Sequence, residues 1–181
     1  MEAEGTEEKF RIVLKLLDNM SDQADLLSHY GKGFLESFLG NANRKDDIDN
    51  CILAYESAIY LTPQGHSCMS SRLDMLGVSL YHCFELTGDL YDIAKAILSQ
   101  QEALQLIPEG HSDMIAWLNN LGVSFIGCFE HTGDLADITN AISCHQKVIH
   151  LTPVGDASMP RQLSNLHQEN VILLTCLTQG L

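Results

Sequence analysis

Eight histidines and six cysteines are the residues of this chain that could bind a metal ion or act as nucleophiles. They come closest in sequence at His82-Cys83 and Cys144-His145. Neighbouring residues diverge by about 100° around a helix, so neither pair is expected to converge on one ligand, and no standard zinc spacing is present. No motif marks a Cys–His hydrolase either. The sequence therefore predicts no metal site, no cofactor and no catalytic residue, and hence a protein that is not an enzyme.

Two further polar positions recur along the chain, and each has a chemical and a structural interpretation. His66 and His111 both follow a glycine, and a repeated loop histidine could serve a function. We favour the alternative that each bonds the backbone of its own loop. Asp89 and Asp134 could act as a pair of carboxylates, but both precede a predicted helix, where an aspartate accepts from free amide groups. They are therefore predicted to be N-caps.

These recurrences belong to an internal repeat with a period of 45 residues. Residues 66–110 and 111–155 are identical at 23 of 45 aligned positions without a gap. An earlier, degenerate copy occupies residues 24–65, with one extra residue in the loop at 40–44, and a partial fourth copy occupies residues 156–181. The chain is therefore predicted to form one continuous solenoid, preceded by an N-terminal segment at residues 1–23.

Each copy is predicted to form two helices. In the third copy the first helix is expected at about residues 112–131, where Leu118, Leu121 and Phe125 lie on one apolar stripe. A Thr-Gly pair then ends the helix, because glycine adopts the left-handed conformation without steric cost. The second helix is expected to run to Pro153, since proline lacks an amide hydrogen. No segment alternates as a strand would, so the predicted fold is all-α: an α-solenoid of stacked antiparallel helical hairpins, with about three and a half repeats plus an N-terminal helix.

Composition and charge limit the classes of partner and the cellular compartment that we expect. Apolar residues make up 45% of the chain and charged residues 19%, which is typical of a globular protein. The formal net charge of -14 disfavours nucleic acid and membrane as partners, since both attract a basic face. The acidic N-terminus does not resemble a signal peptide, and no apolar run approaches the roughly 20 residues of a membrane span. We expect a soluble, cytoplasmic protein with reduced, mostly buried cysteines.

The residues inside each copy resemble the tetratricopeptide repeat. In the third copy, Leu121-Gly122 followed by Phe125 matches the first helix of that family's pattern. The characteristic positions of the second helix are held by Ala141, His145, Val148 and Pro153 in the third copy, by Ala96, Gln100, Ala103 and Pro108 in the second, and by Cys51, Tyr55, Ala58 and Pro63 in the first. The resemblance covers roughly residues 24–178 and implies a helical scaffold that binds other proteins.

The repeat departs from that family in length, because the usual unit has about 34 residues and this one has 45. The Pro-x-Gly-His loop and the Thr-Gly-Asp-Leu turn resemble those of a long-repeat subgroup that occurs with caspase-like protease domains of the CHAT type. This resemblance implies an alternative function. The chain would then be a regulatory or sensor segment of a CHAT-type protease system, acting in trans or derived from a longer gene.

The resemblance also implies where a partner binds, namely in a groove lined by the first helices. Transferred by position, the groove residues are Asp25, Ser28, Lys32 and Leu35 in the first copy, and Ser71, Asp74, Val78, Tyr81, His82, Ala116, Asn119, Val123, Ile126, Ser164 and Gln168 in the later ones. Asp74 and Val78 stand where relatives that clamp a chaperone's C-terminal carboxylates need Lys and Asn, which disfavours that class of partner. An apolar strip of Val78, Tyr81, Val123 and Ile126 favours a peptide or a helix with apolar anchors.

Positions that differ between copies are expected to carry specificity, since packing explains the shared ones. The differing pairs are Asp74 and Asn119, Tyr81 and Ile126, and Arg72 and Trp117. For Trp117, a position in the core is an equally good interpretation.

The resulting prediction is a non-enzymatic interaction module, a scaffold or adaptor for a protein or peptide of unknown identity. Residues 6–19 are predicted to form an amphipathic helix with Phe10, Val13, Leu14 and Leu17 on one face. This helix is either the second helix of a lost repeat or an end cap. Self-association is expected at the open C-terminal end, through residues 171–173.

Overall fold

The computed structural model describes residues 20–40, 44–153 and 155–179, without the side chains of Pro160 and Gln179. This part of the chain forms seven α-helices and no strand. They are α1 (Met20–Gly40), α2 (Lys45–Leu61), α3 (Met69–Thr87), α4 (Leu90–Gln105), α5 (Met114–Thr132), α6 (Leu135–Leu151) and α7 (Met159–Gln179). The predicted helix at residues 6–19 and most of the loop predicted to hold an extra residue lie outside the described residues. The predicted boundary between residues 23 and 24 falls inside α1.

The helices pack in the order in which they occur in the chain. α1 packs on α2, α3 on α4 and α5 on α6, and each pair contacts the next through its second helix. The two-residue connections at Gly88-Asp89 and Gly133-Asp134 make those two hairpins antiparallel. α7 is the first helix of the fourth copy and packs on α6. The predicted all-helical solenoid of hairpins is therefore confirmed.

The turn within a hairpin is formed by a glycine and an aspartate. Gly88 and Gly133 each have φ of 71°, and each amide donates to a carbonyl four residues earlier at 2.7 Å. Asp89 and Asp134 then cap the second helix, because each carboxylate accepts a 2.9 Å hydrogen bond from the amide two residues ahead. The N-cap prediction is confirmed at both positions. A cap of this kind stabilises its helix by about 1 kcal/mol.

A glycine on the first helix sets how closely the two helices of a hairpin approach. Cβ atoms added at Gly31, Gly77 and Gly122 would lie 2.8, 2.5 and 2.7 Å from a side chain of the second helix. The side chains that lie over these glycines are, in order, Tyr55, Gln100 and His145. A larger residue at the glycine would push the helices apart, which explains why the Leu-Gly pair recurs in the two best-matched copies.

The apolar stripes of the helices meet in buried clusters. One cluster joins the first four helices through residues that include Phe38, Tyr55, Leu80, Phe84 and Ile93. Another joins α5 to α6 through Leu118, Leu121, Phe125, Ala141, Cys144 and Val148. The apolar stripe that predicted α5 is thus the face that its hairpin partner covers. No helix in the described part of the chain is both long and apolar enough to cross a membrane.

Candidate interaction surface

The first helices of the copies lie on one side of the solenoid. α3 and α5 contact each other directly, which no two second helices do to the same extent within the described residues. The second and third hairpins therefore approach each other most closely on the side of α3 and α5. A solenoid that is tighter on one side is concave there, and concave solenoid faces are extended binding surfaces.

The predicted groove residues on this side differ in exposure. Ser71, Ala116, Val123, Ser164 and Gln168 are exposed, Val78, Tyr81, His82, Asn119 and Ile126 are half-buried, and Asp74 is buried. The side chain of Val123 is 40% exposed, although its neighbours Gly122 and Ser124 are both buried. An apolar side chain therefore reaches solvent in the middle of α5.

Asp74 is part of the contact between two repeats. The residue is 3% exposed, and both carboxylate oxygens accept hydrogen bonds from Nδ2 of Asn120 at 3.2 Å. Burial raises the pKa of Asp74 to about 6, and the bond from Asn120 partly opposes that increase. In the repeat alignment Asp74 is equivalent to Asn119, but the residue that bonds Asp74 is the next one along α5, Asn120. The carboxylate binds α3 to α5 instead of facing solvent.

Tyr81 and His82 are held by their neighbours at the edge of the strip. The ring of Tyr81 lies against α5, where a Cβ atom at Gly127 would be 3.1 Å away. The ring centroid of His82 is 5.7 Å from that of Phe38, and its Nδ1 is 2.8 Å from a carboxylate oxygen of Glu85. Both side chains are thus held in place by contacts within the protein.

A cavity of about 440 Å³ opens between α1 and α3. It is lined by Asp25, Ser28, His29, Lys32, Tyr55, Cys68, Ser71, Arg72 and Met75. Arg72 is buried there, and its Nε donates to Oγ of Ser28 at 2.9 Å. Its other nitrogen atoms donate to Thr62 and to the carboxylate of Asp25. The guanidinium therefore ties the first copy to the second and is not a free cation.

Trp117 takes the position of Arg72 one repeat later, and it is also buried. It packs against Leu73, Ala103 and Ile107, and its ring is stacked on that of His111 with 6.0 Å between the centroids. Of the two interpretations of Trp117, the structure supports the core residue. The expectation that Arg72 and Trp117 contact a partner is corrected, because both side chains are enclosed by the repeats themselves.

The cysteines and histidines that could do chemistry are used in packing and in loops. Burial raises the pKa of Cys51 and Cys144 to about 11, and burial with the nearby Asp92 raises that of Cys83 to about 12. A protonated thiol is a poor nucleophile. All six cysteines are free. The described residues contain no group of three His, Cys, Asp or Glu side chains that could hold a metal ion.

The loop histidines bond the backbone, as predicted. Nδ1 of His66 accepts from the amide of Cys68, and Nδ1 of His111 accepts from the amide of Asp113, at 3.2 Å in both loops. In the next loop the equivalent residue is Asp156, whose carboxylate accepts from the amide of Ser158 at 2.8 Å. The three residues therefore share one structural task, and their recurrence does not mark a ligand site.

A second cavity, of about 430 Å³, was not predicted and lies between the second helices α2 and α4. Its charged lining comprises Lys45, Asp49, Glu56, Asp89, Asp92 and Lys95. Lys45 pairs with Asp49 at 2.7 Å, and Lys95 pairs with Glu56. One repeat later the residues at the positions of these two pairs are Leu90, Ala94, Asn140 and Gln101. A position-by-position comparison of the second helices reveals this difference, which lies outside the groove predicted on the first helices.

Comparison with known proteins assigns no family, because no protein-family model matches the chain and no curated protein matches its sequence.

Proposed function

We propose that this protein is a non-enzymatic interaction module that binds a peptide or a helix along the first helices of the solenoid. The observation that carries this proposal is the exposure of Val123 in the middle of α5, beside the half-buried Ile126. Val123 is not part of the buried cluster between α5 and α6, whereas Ile126 packs against that cluster with part of its side chain. A partner with apolar anchors is the ligand that gains most from such a surface.

The charges on this side favour an apolar partner over an ionic one. Arg72 already donates to Asp25, Ser28 and Thr62, and Asp74 already accepts from Asn120. Neither group has to be desolvated anew or left unpaired when a ligand binds. Val123 then supplies an apolar contact, with the exposed parts of Val78, Tyr81 and Ile126, which also pack on the core. The exposed Ser71, Ser164 and Gln168 supply polar groups.

A selection from a library of displayed random peptides tests the proposal. Peptides are selected on the 181-residue chain and measured by isothermal titration calorimetry against the chain and its Val123→Glu variant. We expect Val123→Glu to weaken binding at least about tenfold, since a buried apolar anchor would face a charge. Alanine at Tyr81, Asn119 or Val123 should also weaken binding while circular dichroism shows the helices intact.

The matched control is Leu98→Glu, because Leu98 is 65% exposed on the second helix α4. This variant adds the same charge to the same chain on the opposite side, and peptide affinity should not change. Selected peptides that bind Val123→Glu as well as the unaltered chain would refute the groove. The role beside a CHAT-type protease stays a prediction from the resemblance alone.

A further inference from the structure

The final helix, α7, has an apolar face that no other helix covers within the described residues. Leu163, Leu174 and Leu177 are 50%, 60% and 60% exposed, and Leu166 and Asn170 are half-buried. At about 100° per residue these five positions fall within an arc of about 80°, so they form one stripe. We call Leu163, Leu166, Asn170, Leu174 and Leu177 the α7 stripe.

The α7 stripe occupies the face that is covered in the preceding hairpin. Leu163, Leu166 and Asn170 are the equivalents of Leu118, Leu121 and Phe125, 45 residues earlier. Those three residues pack on α6 through Ala141, Cys144 and Val148. The stripe therefore has the position and the apolar character of a helix-packing face.

A helix packed like α6 on α5 does not fit against α7. The first helices of the three complete hairpins carry a glycine at the point of closest approach, which is Gly122 in α5. The equivalent residue in α7 is His167. A Cβ atom alone at Gly122 would lie 2.7 Å from the ring of His145. A whole imidazole at this point does not fit beneath a second helix that carries a large side chain there, as α2, α4 and α6 do, so such a helix would have to pack at a larger separation.

The spacing of the stripe is the same in both directions. Its five residues, at 163, 166, 170, 174 and 177, are separated in turn by three, four, four and three positions. Two such helices running antiparallel about a two-fold axis at Asn170 place Leu163 opposite Leu177 and Leu166 opposite Leu174. The two Asn170 side chains then face each other at the axis, where one amide can donate to the other. Such a surface is complementary to itself, as a two-fold dimer requires.

We propose that the α7 stripe is the interface of an antiparallel dimer between two copies of this chain. The stripe carries no charged residue, so two chains that each have a formal net charge of -14 do not bring like charges together in the contact. Their overall repulsion still resists association at a distance, and salt screens it. The dimer is therefore expected to tighten as ionic strength rises, which an interface held by ion pairs would not do.

Sedimentation velocity of the 181-residue chain from about 1 to about 200 µM tests the dimer. We expect a concentration-dependent dimer that strengthens between about 0.15 M and about 0.5 M NaCl. Leu174→Glu should lower the association constant by about a hundredfold, since the two-fold axis places the change twice in one interface. Leu98→Glu, with the same chemistry and similar exposure on α4, should dimerise like the unaltered chain.

A charge exchange tests the antiparallel pairing. Leu163→Glu and Leu177→Lys should each be monomeric alone, but a mixture of the two should form a heterodimer. In that heterodimer Glu faces Lys on one side and Leu163 faces Leu177 on the other. A chain that stays monomeric at all concentrations, a dimer that survives Leu174→Glu, or a mixture that does not associate would each overturn the proposal. The Val123→Glu variant should dimerise normally, which separates this interface from the peptide groove.

Discussion

The contact between the second and third repeats is built from different chemistry than the contacts on either side of it. Between the first and second repeats, Arg72 donates to Thr62. Between the third and fourth repeats, Oε1 of Gln162 lies 2.9 Å from Oγ1 of Thr152. In the middle contact the same two positions hold Trp117 and Ile107, which pack together as apolar residues. The two positions change together. The polar residues Arg72 and Gln162 occur with a threonine, and Trp117 occurs with an isoleucine.

A second buried position shows the same contrast. Oγ of Ser79 lies 3.0 Å from Sγ of Cys51, and the equivalent Glu169 bonds Nδ1 of His145 at 2.5 Å. In the middle contact the equivalent Ser124 has a buried hydroxyl oxygen without a hydrogen-bond partner in the described structure. At this position the middle contact therefore lacks the hydrogen bond that its two neighbours have. At these positions the middle contact depends on packing and its neighbours depend on hydrogen bonds, and the polar part of the middle contact is the bond between Asp74 and Asn120.

The largest expected effect comes from exchanging one side of the middle contact alone. Trp117→Arg places a guanidinium against Ile107 without an acceptor there, and we expect it to lower the free energy of unfolding by about 4 kcal/mol. Adding Ile107→Thr restores the polar pair of the preceding contact and should recover at least about 1 kcal/mol. Urea denaturation of the two single variants and the double variant gives the coupling energy. Strictly additive losses would show that the two positions are not a matched pair.

The reverse exchange is the matched control for that cycle. Arg72→Trp should destabilise the first contact, and Thr62→Ile should recover part of the loss, because the pair then matches the middle contact. Here the bond from the buried Arg72 to the exposed Asp25 is also lost, so the recovery should be smaller than in the middle contact.

Removing the carboxylate of Glu169 should have the next largest effect. Glu169→Ala leaves the imidazole of His145 buried against Gly122 without its partner, and we expect a loss of about 3 kcal/mol. Glu169→Gln keeps an acceptor oxygen and should lose much less. Because α7 contacts only α6 among the described helices to any large extent, hydrogen exchange should show the loss first in α7. Equal losses for the two variants would mean that the bond to His145 contributes little.

Features set by neighbouring residues were predictable, and contacts between repeats were not. The turn glycines Gly88 and Gly133 and the caps Asp89 and Asp134 act within a few residues, so their types and spacing identify them. The 45-residue period can be recognised from identical residues at a fixed offset alone. These features established the hairpins and their order without any knowledge of packing.

The candidate surface was only partly predictable, because exposure depends on rotation about the helix axis. Val123 is exposed and Ile126 is half-buried, whereas Asp74, predicted for the same groove, is buried and bonded to Asn120. One residue along a helix turns a side chain by about 100°, which decides between the groove and the contact beneath it. Arg72 bonds Asp25 across 47 positions of the chain, a distance over which sequence periodicity carries no geometric information.

The smallest of the expected effects concerns Asp74 and depends on pH. Its pKa of about 6 in the folded protein is above the value of 3.8 for a free side chain, so folding favours the protonated form. The stability that this preference contributes is complete below about pH 4 and is lost as the pH rises through 6.

Asp74→Asn removes the buried charge, and we expect it to raise the free energy of unfolding by about 2 kcal/mol at pH 7.5 relative to the unaltered chain, and by far less at pH 4.5. Urea denaturation at both pH values measures the difference, with the exposed cap variant Asp134→Asn as control for the loss of a carboxylate elsewhere. If Asp74→Asn destabilises the protein at pH 7.5, the ionised Asp74 is favoured by its bonds to Asn120 more than it is penalised by burial, and the middle contact then depends on hydrogen bonds as its two neighbours do.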